Sequence, residues 1–270
     1  MKMKSSLYQR RWNPDSGLTG RHRSIYLVHG ISEHSGRYDD VGRWLAARGW
    51  IVGAHDHHGF GRSGGTRGRL RSANAYVDDL VQCLAQFAAE SGSRPVLLGH
   101  SMGGVIAAAS VLTRSVDVAG LCLSAPAFRP ALSRSQRWQL RTLGAIAPRF
   151  VIERSLDPRK LSHDPTVVAA YRSDPLVHGF VSAQLVQWII DAGADCLARV
   201  DQLTVPTLIM ASAADPVVNP DGFREFAAKV PPGLLTQRWY NGYLHEVLNE
   251  EASRRGQVYA ELLAWLESIA

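Results

Sequence analysis

Cysteine is scarce. The 270 residues hold three, Cys83, Cys122 and Cys196, far apart and with no C-x-x-C spacing. This excludes a disulfide framework and a thiolate zinc site, and leaves three reduced thiols. Nor does any apolar run approach the roughly 20 residues of a membrane-spanning helix. The N-terminus, Met1 to Trp12, is basic but lacks the apolar centre of a signal peptide, so a cytoplasmic setting is the expectation. There is no internal repeat, no low-complexity tract and no nucleic-acid motif. A net charge of +6 and a pI near 9.5 favour anionic partners in general, but the arginines are scattered, and no nucleic-acid partner is expected.

Against these absences stands a globular composition, 46% hydrophobic and 20% charged, in a length that suits one α/β domain with an insertion. Short apolar runs at Ser24–Val28, Trp50–Ala54, Val96–Leu98 and Val118–Leu123 read as strands covered on both faces. One or two edge strands are expected around Leu7 to Trp12, followed by a turn at Asn13–Gly17. A helix from Arg37, with Val41, Trp44 and Leu45 on one face, is stopped by Gly49. Val77, Leu80, Val81, Leu84 and Phe87 keep a helical rhythm. The order β-α-β-α-β-α-β implies a mostly parallel sheet with right-handed crossovers. From 127 to 200 the alternation breaks into helical and loop-like pieces with no clear strand, which reads as a helical cap inserted into a core of residues 1–126 and 201–270. The core resumes with a strand at Pro206–Met210, a helix at Pro220–Val230, a strand at Leu234–Tyr240 and a helix over 249–268.

The most informative stretch is Gly99-His100-Ser101-Met102-Gly103, between the strand at Val96–Leu98 and a helix running on through Ala109. In a G-x-S-x-G nucleophile elbow the serine sits at strained backbone angles, so its neighbours two residues away on either side must be small. The alternative, a glycine-rich turn with a capping serine, lacks a reason for the flanking strand and helix. A serine hydroxyl needs a histidine to accept its proton and a carboxylate to orient that histidine, in the chain order Ser, Asp or Glu, His. Of His163, His178 and His245, the first two fall inside the cap. His245 lies in the loop after the last strand. Asp215, the first carboxylate after the strand at Leu208–Met210, is the expected acid, and Asp221 reads as a helix cap. Two N–H groups should receive the oxyanion: that of Met102, and that of Ile31 in the loop His29-Gly30-Ile31.

These residues resemble the monoacylglycerol lipase and lysophospholipase branch of the α/β-hydrolase fold. The resemblance runs in order through Leu27-Val28-His29-Gly30, Glu33-His34-Ser35-Gly36-Arg37-Tyr38, Asp56, Gly59 to Ser63, the elbow, Asp174-Pro175-Leu176-Val177, Asp215-Pro216 and His245-Glu246-Val247-Leu248-Asn249-Glu250. It departs at Ala213 and Ala214, where the family often has a glycine, and is loosest in the cap. It implies cleavage of single-chain acyl esters of glycerol or phosphoglycerol without a cofactor. Ser101, Asp215 and His245 would form the triad, with Ile31 and Met102 as oxyanion donors. A short-chain esterase, a peptidase or acyltransferase with the same triad, and a hydrolase-fold ligand-binding protein are the alternatives.

Other signals are less specific. His55-Asp56-His57-His58 lacks the spacing of a binuclear metal site and reads as an ordering loop anchored by Asp56. Arg134, Arg137 and Arg141 beside Trp138 form either a solvated face or a surface that rests on anionic lipid, which makes peripheral membrane contact through the cap an expectation. Phe128, Phe150, Ile152, Leu185, Trp188 and Ile189 are candidates for an acyl pocket, with plain cap core as the other reading.

Overall fold

The computed structural model describes residues 7–15, 23–153 and 155–269; the expected turn at Asn13–Gly17 falls partly outside them, as do the side chains of Arg137 and Arg141. In chain order the elements are β1 (Gln9–Trp12), β2 (Arg23–Val28), α1 (Asp39–Ala46), β3 (Trp50–His55), α2 (Ala75–Ser91), β4 (Val96–His100), α3 (Met102–Arg114) and β5 (Gly120–Ser124). The inserted segment holds α4 (Arg134–Ile146), β6 (Val151–Glu153), α5 (Pro165–Ser173), β7 (Phe180–Ser182) and α6 (Ala183–Arg199). The chain closes with β8 (Thr207–Ser212), α7 (Asp221–Lys229), β9 (Leu235–Tyr240) and α8 (Ala252–Ser268).

Among the described residues, seven strands form one sheet in the order β1-β3-β2-β4-β5-β8-β9. Of these seven described strands β1 runs antiparallel, on the edge beside β3, and the others pair in parallel. Because side chains alternate across a strand, each apolar run feeds two cores. Ile25 and Leu27 of β2, Val96 and Leu98 of β4, and Leu208 and Met210 of β8 face the layer built by α1 and α8. Tyr26 and Val28, Leu97, and Ile209 and Ala211 face the layer of α2, α3, α6 and α7. Burial on both faces explains why these strands read as continuous apolar runs.

Two features depart from the expectation for 127–200. Its last helix, α6, buries Leu185, Ile189, Cys196 and Leu197 in the same core as α3, so it packs as a layer of the sheet domain. A small antiparallel pair, β6 with β7, stands where no strand was expected. Three-residue strands are too short to show an alternating pattern.

Leu98, fully buried in the central strand, and Leu140, half-buried on α4, should respond differently to truncation. Leu98→Ala is expected to cost about 2–5 kcal/mol and Leu140→Ala about 1 kcal/mol in urea unfolding; equal losses would contradict this division between core and insertion.

Candidate active site

The C-terminal ends of β2, β4, β8 and β9 carry the residues singled out for catalysis. Among the described residues, four non-glycine residues have positive φ: Ser32, Ser101, Ser115 and Ala125. Three of them lie at this edge, where local strain accompanies a loop held in a special shape. Ser101, at φ 54° and ψ −119°, is the turn between β4 and α3. Its N–H donates to Ser124 O at 3.0 Å, and its own carbonyl accepts from Ala127 N at 2.9 Å. The flanking glycines are required by contact. A Cβ on Gly99 would strike the Gly103 carbonyl, and one on Gly103 would strike the carbonyls of Val28 and His29.

Asp215 and His245 meet beside this elbow. His245 Nδ1 lies 2.7 Å from Asp215 Oδ2, and the other carboxylate oxygen accepts from Val217 N at 2.8 Å and Val218 N at 3.1 Å. Burial pushes the Asp215 carboxyl up, but His245 and these two amides more than reverse that, leaving it below the usual carboxylate range. Burial likewise disfavours a charged His245. The charge and hydrogen bond of Asp215, with Glu246 and Glu33 behind it, outweigh burial and hold the imidazole above the ordinary histidine value. The His245 ring packs on that of His100, centroids 4.7 Å apart, which brings it alongside the residue preceding Ser101. Burial, and then the facing His245, push His100 down to about 3, so it is a neutral neighbour. Among the described residues no hydrogen bond joins Ser101 Oγ to His245; in a site without substrate that contact is commonly slack.

Met102 opens α3, so its N–H has no carbonyl one turn back to bond. On the other side the loop after β2 presses against the elbow: a Cβ on Gly30 would lie 3.1 Å from Ser101 Cβ. Asp56 anchors the neighbouring loop, accepting from Ser35 N and Oγ at 2.8 and 2.6 Å and from Arg62 N at 2.7 Å.

A buried charge cluster that no local pattern revealed ties these loops together. Arg37 donates through both terminal nitrogens to Glu246, next to His245, and at 3.2 Å to Glu33 Oε2. Glu33 Oε1 accepts from Gly30 N and, at 2.9 Å, from Tyr38 Oη. Burial would raise both carboxyls. Glu246, with the Arg37 charge directly on it, is instead held down to about 2, while at Glu33 burial prevails. The signal available in the sequence was the i, i+4 spacing of Glu33 and Arg37; their partner more than 200 residues away was not legible.

The cap residues do not converge on one acyl pocket. Phe128 is buried, stacks on Phe226 at 4.7 Å and edges a cavity of about 400 Å³ with Leu132 and Ile190, and Leu185 and Ile189 belong to the sheet core. Phe150 is exposed. Ile152 lines a small apolar cavity with Leu140 and Val181, whereas Trp188 lines a separate one of about 480 Å³ with Leu70 and Leu140. Apolar residues at helical spacing look alike from sequence whether they face a ligand or a neighbouring helix.

A parallel sheet carrying a serine on its elbow and a buried Asp–His pair at the same edge defines a serine hydrolase of the α/β-hydrolase class. The chain belongs to the family described as "Serine aminopeptidase, S33", whose model matches residues 20–252. It is 34% identical over 261 residues to the monoacylglycerol lipase of Mycolicibacterium smegmatis, covering 95% of this chain and 91% of that one. It is 29% identical to the human monoglyceride lipase, over 96% of this chain and 86% of that one. The crystal structure of a Paleococcus ferrophilus monoacylglycerol lipase superposes with a TM-score of 0.84 at 28% identity, covering 98% of this chain and all of the other.

The raised His245 gives a pH prediction. A general base must be neutral, so the acid limb of kcat/KM should fall above the ordinary imidazole value of 6.5. In Asp215→Asn that limb should move to lower pH while kcat/KM drops by about 10³–10⁴-fold. The stability sign is opposite for the two partners. The His245 contribution is full below pH 6.5 and fades as pH rises through its raised folded value; the Asp215 contribution is lost as pH falls through its lowered one. An acid limb unmoved by Asp215→Asn would refute the pairing.

Proposed function

We infer that this protein hydrolyses single-chain acyl esters such as monoacylglycerols through Ser101, His245 and Asp215. The observation that carries the reading is the 2.7 Å Asp215–His245 bond, buried beside the elbow that presents Ser101. Ser101 Oγ attacks the ester carbonyl as His245 Nε2 takes its proton. The N–H groups of Met102 and Ile31 receive the negative charge on the carbonyl oxygen. His245 returns the proton to the departing alcohol, leaving an acyl-enzyme, and then activates the water that releases the fatty acid. Asp215 holds the imidazole with Nδ1 protonated throughout. No cofactor enters this chemistry.

Support for the substrate class comes from the relatives, which are named for lipase activity on monoacylglycerols and, for one from Bacillus subtilis, as a phospholipase. Peripheral contact with a membrane is favoured by the cap surface. Trp138, Ile146 and Phe150 are 69%, 79% and 59% exposed, which is unusual for large apolar side chains unless they meet an apolar surface. Of the basic residues expected beside Trp138, Arg134 is exposed. No described helix is long and apolar enough to cross a membrane.

Fatty-acid release should be measured from monoacylglycerols, lysophospholipids and short p-nitrophenyl esters, with aminoacyl p-nitroanilides alongside. Monoacylglycerol turnover that drops by several orders of magnitude in Ser101→Ala is the expected result. Preference for the anilides would replace the lipase reading with a peptidase one, and no turnover at all would favour a ligand-binding protein. Trp138→Ser with Ile146→Ser should slow hydrolysis of vesicle-borne substrate and leave soluble esters unaffected; equal rates on vesicles would remove the membrane contact.

A further inference from the structure

Beneath the loop after β2 lies a chain of buried polar side chains that the triad does not use. Tyr26 Oη is 3.2 Å from His55 Nδ1, and His55 Nε2 is 3.1 Å from His57 Nδ1. His57 Nε2 is 3.0 Å from the carbonyl oxygen of His29, and His57 N is 2.9 Å from His29 Nε2. His29 Nδ1 lies 2.8 Å from the carbonyl oxygen of Gly30. All four side chains are buried.

These contacts can be satisfied in one arrangement of protons. A carbonyl only accepts, so His57 Nε2 and His29 Nδ1 must each carry a hydrogen. A backbone N–H only donates, so His29 Nε2 is a lone pair. Burial drives all three imidazoles towards the neutral form, His57 down to about 4 and His29 and His55 well below the usual value. A neutral His57 protonated on Nε2 has a bare Nδ1, so His55 must donate from Nε2. His55 Nδ1 is then bare and takes the Tyr26 hydroxyl hydrogen. Every donor points towards the loop. The groups facing the chain do not disturb this order: the Cys83 thiol, kept protonated by burial, touches the Tyr26 hydroxyl and can donate to its oxygen, Tyr76 and Phe60 present ring faces and edges, and the Asp56 carboxylate is engaged by Ser35 and Arg62.

The end points matter because of peptide geometry. The Gly30 carbonyl and the Ile31 N–H belong to one planar trans peptide group, so they point in opposite directions. Fixing that carbonyl on His29 fixes the N–H on the far side. The preceding peptide is held likewise, its carbonyl by His57 and its N–H by Glu33. Without these bonds Gly30, which has no Cβ to resist rotation, would let the Gly30–Ile31 peptide turn over and present an oxygen in place of a donor. We propose that His57 and His55, through His29, are positioning residues that lock this peptide in the orientation needed for the oxyanion. The proposal rests on the ester-hydrolase reading above and names what keeps its oxyanion donor in place.

The test uses the whole protein. Nitrogen-15 spectra of labelled histidines should show neutral His55 and His57 protonated on Nε2 and neutral His29 protonated on Nδ1 at pH 7. His57→Leu should lower kcat by about 10²–10³-fold, as for loss of an oxyanion donor, with KM changed less than about threefold. His57→Gln, which keeps an amide N–H for the His29 carbonyl, should recover at least tenfold of that loss. Should His57→Leu fail to fold, Tyr26→Phe removes a single hydroxyl and should disturb the His55 tautomer and lower kcat by a smaller factor. Opposite tautomers, a wild-type kcat in His57→Leu, or no effect of Tyr26→Phe on either readout would overturn the proposal while leaving the triad intact. A wild-type protein that hydrolyses no ester would overturn both readings.

Discussion

Two stretches of backbone in contact set the conditions for the rest of this site. The first turn of α3 lies so close to the end of β2 that even a methyl group on Gly103 would strike the carbonyls of Val28 and His29. That proximity holds the serine elbow and the loop carrying Ile31 on the same ledge, at the positive end of a helix. It also fixes which residue types can stand at positions 99 and 103, and places Ser101 in a backbone conformation other residues avoid. Stability and site geometry thus share one constraint: a substitution that relaxes the elbow also separates Ser101 from the loop carrying Ile31.

Around this contact the protein buries charged side chains in pairs. Arg37 stands between Glu33 and Glu246, so a single guanidinium links the loop after β2 to the loop of His245. Such a cluster adds little net stability, because desolvation offsets most of the attraction, but removing one member strands a charge in the interior. Its value lies in geometry, since the two loops come from opposite ends of the chain. A second tie works the same way: Glu250, fully buried, accepts from Leu244 N at 2.7 Å and from His163 N at 3.0 Å, fastening the inserted segment to the loop before His245.

The sheet was legible because strands buried on both faces leave continuous apolar runs, and the elbow because its steric demands dictate glycine. Asp215 and His245 followed from the order in which the fold presents its loops, and the structure brings them within 2.7 Å. Contacts between segments distant in sequence stayed hidden. Phe128 stacks on Phe226, a partner that no local pattern announced, and α6 looked like cap until the face bearing Leu185 and Cys196 was seen against α3. The strands β6 and β7 are too short to leave a pattern. The histidines of the His55–His58 stretch announced themselves by composition, but their purpose depends on His29 and Tyr26, which join them only through the strand order β3-β2-β4.

The central claim, that Ser101 is a nucleophile activated by His245, is tested most directly by mapping a covalent adduct. The protein treated with a fluorophosphonate should gain the mass of one phosphonyl group, located by peptide sequencing to Ser101, and His245→Gln should slow the labelling by orders of magnitude while the protein remains folded at the temperature of the assay. Labelling at another residue, or labelling of Ser101 that is indifferent to His245, would contradict the account.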